Sequence, residues 1–357
     1  MAQVLRRIRH LLSGSPRAVA TPFASQRSRF EIAFTLVGVF YVANLYLTFT
    51  QIQGWSGLAR SRALDALWPV AWVESAGIAT SVHVIMGLFL AGSVAAALMP
   101  GRRLARIVAF LGLFLFHALL NSFGKINHAF HGWILCAFLW IFLPDGTRAI
   151  VGATRVGRQH LLNGFWSALA IQGVCYSLAG IWKVLGVIPQ ALRGEVHSLA
   201  PDALGIHIAH RLLQTDSESL LGALFIEHAW LGWPSFVIVI YLQVFTLCAV
   251  FRPALHRVWG AGLISFHFMV FLTLSVIFEP PVLLMGILFL CSPFAPEWRL
   301  REVASALPIL GSLADRALGA LPGSFADTRE GEECFDGAVG THGPGDFRAP
   351  GESLSGR

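Results

Sequence analysis

Lysine is nearly absent from this chain of 357 residues: 24 of its 26 basic residues are arginines, and the two lysines are Lys125 and Lys183. Charge of either sign is scarce, at 13% of residues against about 25% in a typical soluble domain. So little charge in a chain that is 55% hydrophobic excludes a soluble enzyme. The five cysteines show no C-x-x-C spacing, which removes a thiol redox motif and a cysteine zinc site. No acidic residue lies deep in any long apolar run, which argues against an ion-coupled transporter. Arginine stays protonated at any biological pH, whereas a lysine amine is able to serve as a neutral base. The position of a scarce lysine therefore carries information.

What the chain has in abundance is long apolar runs, each near the roughly 20 residues that cross a bilayer as a helix. Eight spans are expected, at 30–50, 77–98, 105–121, 126–143, 163–185, 233–251, 257–278 and 281–296. Arginines cluster before the first span, after the second (Arg102, Arg103, Arg106), after the fourth (Arg148, Arg155, Arg158), after the sixth (Arg252, Arg257) and after the eighth (Arg299, Arg301). The intervening loops carry fewer basic residues, offset by acids such as Asp65, Glu74, Glu195 and Asp216. That alternation is the positive-inside pattern of an all-α polytopic bundle with both termini in the cytoplasm. The net charge of +6 then reflects topology and attraction to lipid headgroups, and no nucleic-acid partner is implied.

The expected organisation is a basic cytoplasmic segment (1–29), a membrane domain (30–300) and a tail (301–357). The first segment also overlaps in composition with an organellar transit peptide. The tail is rich in glycine, proline and acids, and is expected to be largely disordered. Between spans five and six, 186–232 forms an extracytoplasmic loop in which 202–213 and 219–231 read as short interfacial amphipathic helices. The arginine bias matches a GC-rich bacterial genome and so a bacterial inner (plasma) membrane.

Ionisable groups inside the spans are few: His83, His117, His128, His131, Lys183, His267 and Glu279. His128 and His131, three apart, share a helical face, next to Asn127 and Lys125. No carboxylate or third histidine stands nearby, so the pair reads as a polar interfacial turn and no metal is expected. Lys183 closes the fifth apolar run; it either snorkels to the headgroups or sits desolvated as a base. His267 lies in mid-span, beyond reach of either surface. It either hydrogen-bonds a neighbouring helix or lines a cavity.

Three patches resemble the vitamin K-dependent γ-glutamyl carboxylases and their bacterial relatives, which share the multi-span HTTM domain. Tyr176-Ser-Leu-Ala179-Gly180-Ile-Trp182-Lys183-Val is similar to that family's Tyr-Phe-x-Ala-Gly-x-x-Lys-Leu stretch. Asn127-His128-Ala-Phe-His131-Gly132 resembles its Asn-His-x-x-x-Gly segment. Ser265-Phe266-His267-Phe268-Met269, followed by Cys291-Ser292-Pro293 and Glu297-Trp298, resembles its Phe-His span and closing motif. The resemblance covers about 30–300 and implies a quinol-linked carboxylase. In that scheme Lys183 is the base, His128 and His267 assist, and Asn127, His131 and Trp182 contact the cofactor, reduced vitamin K or menaquinone. Trp182 stands where the carboxylases have a second lysine, and the large luminal region of the animal enzymes has no counterpart after the spans. The substrate implied is accordingly small, membrane-bound or a peptide presented by a partner. The alternative function is a non-catalytic membrane protein that assists maturation or export of a peptide or lipid.

Overall fold

Gln26–Ile52 opens the chain's ordered architecture as helix α1, four residues earlier and two later than the first apolar run suggested. The computed structural model describes residues 25–52, 60, 64–124, 126–296 and 299–314. The basic segment up to residue 24, Lys125, the Glu297-Trp298 pair and the tail from 315 lie outside the described residues. Among the described residues every regular element is helical. Five helices are long and apolar enough to cross a membrane: α1, α2 (Ile78–Leu98), α3 (Arg103–Asn121), α5 (Arg155–Leu192) and α9 (His256–Leu274), the last preceded by a 3₁₀ turn from Pro253. This length and composition suggest an integral membrane protein.

The three other expected spans are shorter or broken. Helix α4 covers only His131–Trp140, about 15 Å of rise. Pro144 blocks its continuation, and the buried Arg106 side chain takes the carbonyls beyond it, donating to Leu143 O at 2.6 Å and to Pro144 O at 3.2 Å. The sixth run is interrupted at Phe245, between α7 (Ala229–Val244) and α8 (Thr246–Val250). There the Leu247 N–H, which a continuous helix would direct to the Gln243 carbonyl, donates instead to Ser177 Oγ of α5 at 2.9 Å. The eighth run is helix α10 (Glu279–Met285), continued by one π-type turn over Gly286–Leu290.

Helix α5 is the longest element at 38 residues. It does not stop at the expected 185, because Val184–Ile188 remain apolar and Pro189 falls in its last turn. It ends in a Schellman pair, the Glu195 N–H bonding to Gln190 O and the Gly194 N–H to Ala191 O. Within the 186–232 loop, α6 spans Ala203–Thr215, and the second stretch divides into a six-residue helix, Gly222–Glu227, and the start of α7. The loop folds onto the end of α9, where the Leu221 N–H donates to Leu272 O at 2.9 Å.

Helices α2 and α3 pack in close contact. A Cβ on Gly112 would lie 2.5 Å from Phe89 Cα, so the two backbones approach as only glycine permits. A buried polar network fastens α1, α2 and α4. Asn44 Nδ2 donates to Ser93 Oγ at 2.8 Å, Thr48 Oγ1 lies 2.8 Å from the same oxygen, and Trp133 Nε1 donates to Asn44 Oδ1 at 2.9 Å.

Candidate functional site

The Lys183 site begins with Gly180. A Cβ there would lie 2.5 Å from the backbone nitrogen of Val244, so α5 touches α7 backbone to backbone. One turn further along α5, Lys183 reaches across the seam and donates from Nζ to Gln243 Oε1 at 2.9 Å. A longer contact of 3.4 Å runs back to the carbonyl of Ala179. Seven residues before Lys183, and so on the same helical face about 10 Å below it, stands Tyr176. Its Oη lies 2.7 Å from His267 Nε2 of α9. His267 is buried, and its second nitrogen, Nδ1, has no hydrogen-bond partner among the described residues. The lysine motif, Gln243 and His267 therefore line one face of α5, held there by Gly180 and by the Ser177 bond that breaks the α7–α8 ladder.

Trp182 belongs to a different face. It is 79% exposed and stands about 100° around the helix from Lys183, among the outward apolar residues Leu178 and Leu185.

The Asn127-His128-Ala-Phe-His131 patch forms a separate group. Asn127 caps a 3₁₀ turn over His128–Phe130, its Oδ1 accepting from the Ala129 N–H at 3.0 Å. Its own N–H donates to Asn121 Oδ1 at 2.8 Å. His128 and His131 set their rings perpendicular, with Nδ1 facing Nδ1 at 3.4 Å. One ring must donate and the other accept, so the pair fixes complementary tautomers. Among the described residues no group of three His, Cys, Asp or Glu side chains gathers that would hold a metal ion. His131 and Asn121 open on a cavity of about 460 Å³ that is otherwise lined by apolar side chains and His117. His117 is buried against Phe130, 4.0 Å between ring centroids, with neither ring nitrogen partnered among the described residues.

The two groups meet through one segment. The turn at His128–Phe130 packs on α10, and Phe278, immediately before α10, lies 5.3 Å from the His267 ring. Tyr176 and Gln243 complete the Lys183 site. Tyr176 is detectable by its seven-residue spacing from Lys183, and Gln243 as a lone amide in an apolar run. That Gln243 faces Lys183 depends on the close approach at Gly180, which no local pattern reveals.

A quinol needs hydrogen-bonding groups for its ring oxygens and an apolar wall for its ring and tail. The Nζ of Lys183 meets the first demand and the exposed rings of Phe268 and Phe271 on α9 the second, while His267 Nδ1, without a partner among the described residues, is buried. Comparison with protein-family models, with curated proteins and with solved structures finds no match to this chain.

Proposed function

We propose that this chain is a quinol-linked, carboxylase-like membrane protein in which Lys183 is the base. The observation that carries the reading is the hydrogen bond of Lys183 to a neutral amide, Gln243, on the helix face that also holds the Tyr176–His267 pair. A carboxylate partner would hold the lysine as an ammonium ion. An amide oxygen accepts from either the ammonium or the amine, and so leaves Nζ able to take up and return a proton. Gln243 orients Nζ, and Tyr176 orients the imidazole of His267, whose buried Nδ1 would bond a ligand oxygen only once the ligand has opened access to it. A bound reduced vitamin K or menaquinone would supply the reducing equivalents and, with oxygen, the basicity that carboxylation at carbon requires. The substrate is small, membrane-bound or presented by a partner.

In this reading the chain crosses a bacterial inner membrane eight times with both termini cytoplasmic, α4, α7–α8 and α10 completing the five long helices. The alternation of arginine-rich loops supports that count. The second reading, a non-catalytic protein assisting peptide or lipid maturation, draws on the same Lys183–Gln243 bond taken as a plain interhelical link. Purified protein supplied with reduced menaquinone separates the two. Lys183→Ala and Lys183→Arg are each expected to abolish quinol oxidation at least a hundredfold. Full activity in Lys183→Arg reduces the residue to a fixed charge and removes it as the base.

A further inference from the structure

The cavity of about 460 Å³ lies where the last turns of α3 face the start of α4, and Lys183 is not among its lining residues. Its polar groups stand on two helical stripes: His117 and Asn121, four apart on α3, and His131 on α4. Asn121 spends its oxygen on the Asn127 N–H, and its Nδ2 has no partner among the described residues. His131 meets His128 through Nδ1, which leaves its Nε2 unspent among the same residues. His117 is 2% exposed, and both of its ring nitrogens are shielded and unpartnered among the described residues. A buried imidazole in that state carries a desolvation cost that an occupant's hydrogen bond would offset. The rest of the lining is apolar, with Trp68 and Phe114 at 6.4 Å between ring centroids and Ile134 and Leu135 coming from α4. The Trp68 segment is pinned to the end of α3, the Leu67 N–H donating to Ser122 Oγ at 3.0 Å and the Asp65 N–H to Ser122 O at 2.9 Å.

An apolar pocket of this size with a few polar groups at one end is the form that holds a small amphiphile. No cation is among its described lining residues, so a carboxylate or phosphate head would be buried without a counter-charge. Each imidazole offers one donor and one acceptor, and Asn121 Nδ2 only donates. A hydroxyl both donates and accepts, and so suits this set in whichever tautomers the rings adopt; a ketone or ether only accepts. The Trp68 and Phe114 rings tilt 55° to one another and do not frame a slot for a flat ring. We propose that this cavity binds a single-chain lipid with an uncharged hydroxyl head, of the monoacylglycerol class. Its head bonds Asn121 Nδ2 and His131 Nε2, and its chain leaves past Trp68, which is 84% exposed, and the partly exposed Leu135. His117 lies one turn below Asn121, and a head that shifts the side chains shielding it gains a third partner. The site uses none of the Lys183 chemistry and stands whether or not that lysine is a base.

The test uses the full chain in phosphatidylcholine nanodiscs that carry equal minor fractions of monoolein, oleate and a short-chain menaquinone. Native mass spectrometry then reads which of them stays on the released protein. Monoolein is expected to be retained over oleate by about fivefold or more. His117→Phe keeps a ring against Phe130 but offers no hydrogen bond, and should weaken monoolein retention about fivefold. His117→Gln restores a donor and an acceptor and should stay within about twofold of the wild type. Leu135→Trp sits at a partly exposed position that tolerates substitution, fills the cavity with an indole and should lower retention about tenfold or more. Wild-type retention in either His117→Phe or Leu135→Trp would overturn the site. Monoolein held no better than phosphatidylcholine would mean that the cavity holds only water, and would overturn it too. Preferential retention of oleate would overturn the uncharged head, and preferential retention of the menaquinone would overturn the lipid assignment in favour of a quinone.

Discussion

The first three long helices and the later two are built to different standards. In α1, α2 and α3 the most apolar stretch has 44%, 44% and 50% of its residues buried within the chain; in α5 and α9 the shares are 22% and 28%. Individual polar clusters differ as well, although α3 also carries a buried histidine, His117, whose ring nitrogens have no partner among the described residues. Asn44, Ser93, Thr48 and Trp133 satisfy one another in the N-terminal half. Among the described residues of the C-terminal half, His267 keeps an unpartnered Nδ1, and Lys183 rests on a single interhelical bond and a long backbone contact. Burial alone does not mark a functional histidine. His256 is fully buried, yet it donates from Nε2 to Val250 O at 3.0 Å and meets Ser292 Oγ at 2.7 Å through Nδ1. Its bonding capacity is spent on the fold. A satisfied network specifies structure, whereas a buried ring nitrogen without a partner retains unused bonding capacity.

The comparison predicts that equivalent insults cost stability in one half and function in the other. The largest stability loss is expected from Gly112→Leu, whose Cβ alone would meet the Phe89 backbone at 2.5 Å. Relief requires separating α2 from α3, at a cost of about 3 kcal/mol or more. The measurement is the thermal midpoint in detergent, and a midpoint unchanged from wild type would show that these helices are not in contact. Asn44→Leu should follow, at about 1–3 kcal/mol, because it strands the buried Trp133 N–H and leaves Ser93 with one fewer partner. A loss below that range would mean that water enters the N-terminal half and replaces the amide.

How much of this was legible in the sequence depends on how local the cause is. The five long helices follow from apolar runs, and the approximate placement of α1, α2 and α3 needed nothing else. The sequence puts the end of α5 near Lys183, but the apolar residues continue beyond it, and Pro189, so near the terminus, costs little. The break at Phe245 has no local signal, since its cause is a serine on another helix. The stop of α4 was half legible in Pro144, but the anchoring by Arg106 required the fold, and a charge counted as topology turned out to be buried structure. In the candidate site, Lys183 and His267 stood out as rare polar groups in apolar runs. Their bonding partners did not, because Gln243 and Tyr176 acquire their roles only when Gly180 lets α5 and α7 touch.

The smallest stability effect, and the sharpest test of the comparison, belongs to Gln243→Leu. It removes the one side-chain partner of Lys183 among the described residues, as Asn44→Leu removes a partner of Trp133. In the N-terminal half the stranded group has nowhere to go. Lys183 is only partly buried on a sparsely packed helix, so its flexible stem can carry the amine outward, and interhelical hydrogen bonds in membranes average about 0.6 kcal/mol. The thermal midpoint should therefore fall far less than in Asn44→Leu, while quinol oxidation drops at least tenfold because Nζ is no longer held on the face shared with His267. A stability loss equal to that of Asn44→Leu would make Gln243 a structural residue and erase the distinction between the halves. Unchanged turnover with unchanged stability would detach Gln243 from the site and leave Lys183 without the positioning that its proposed role requires.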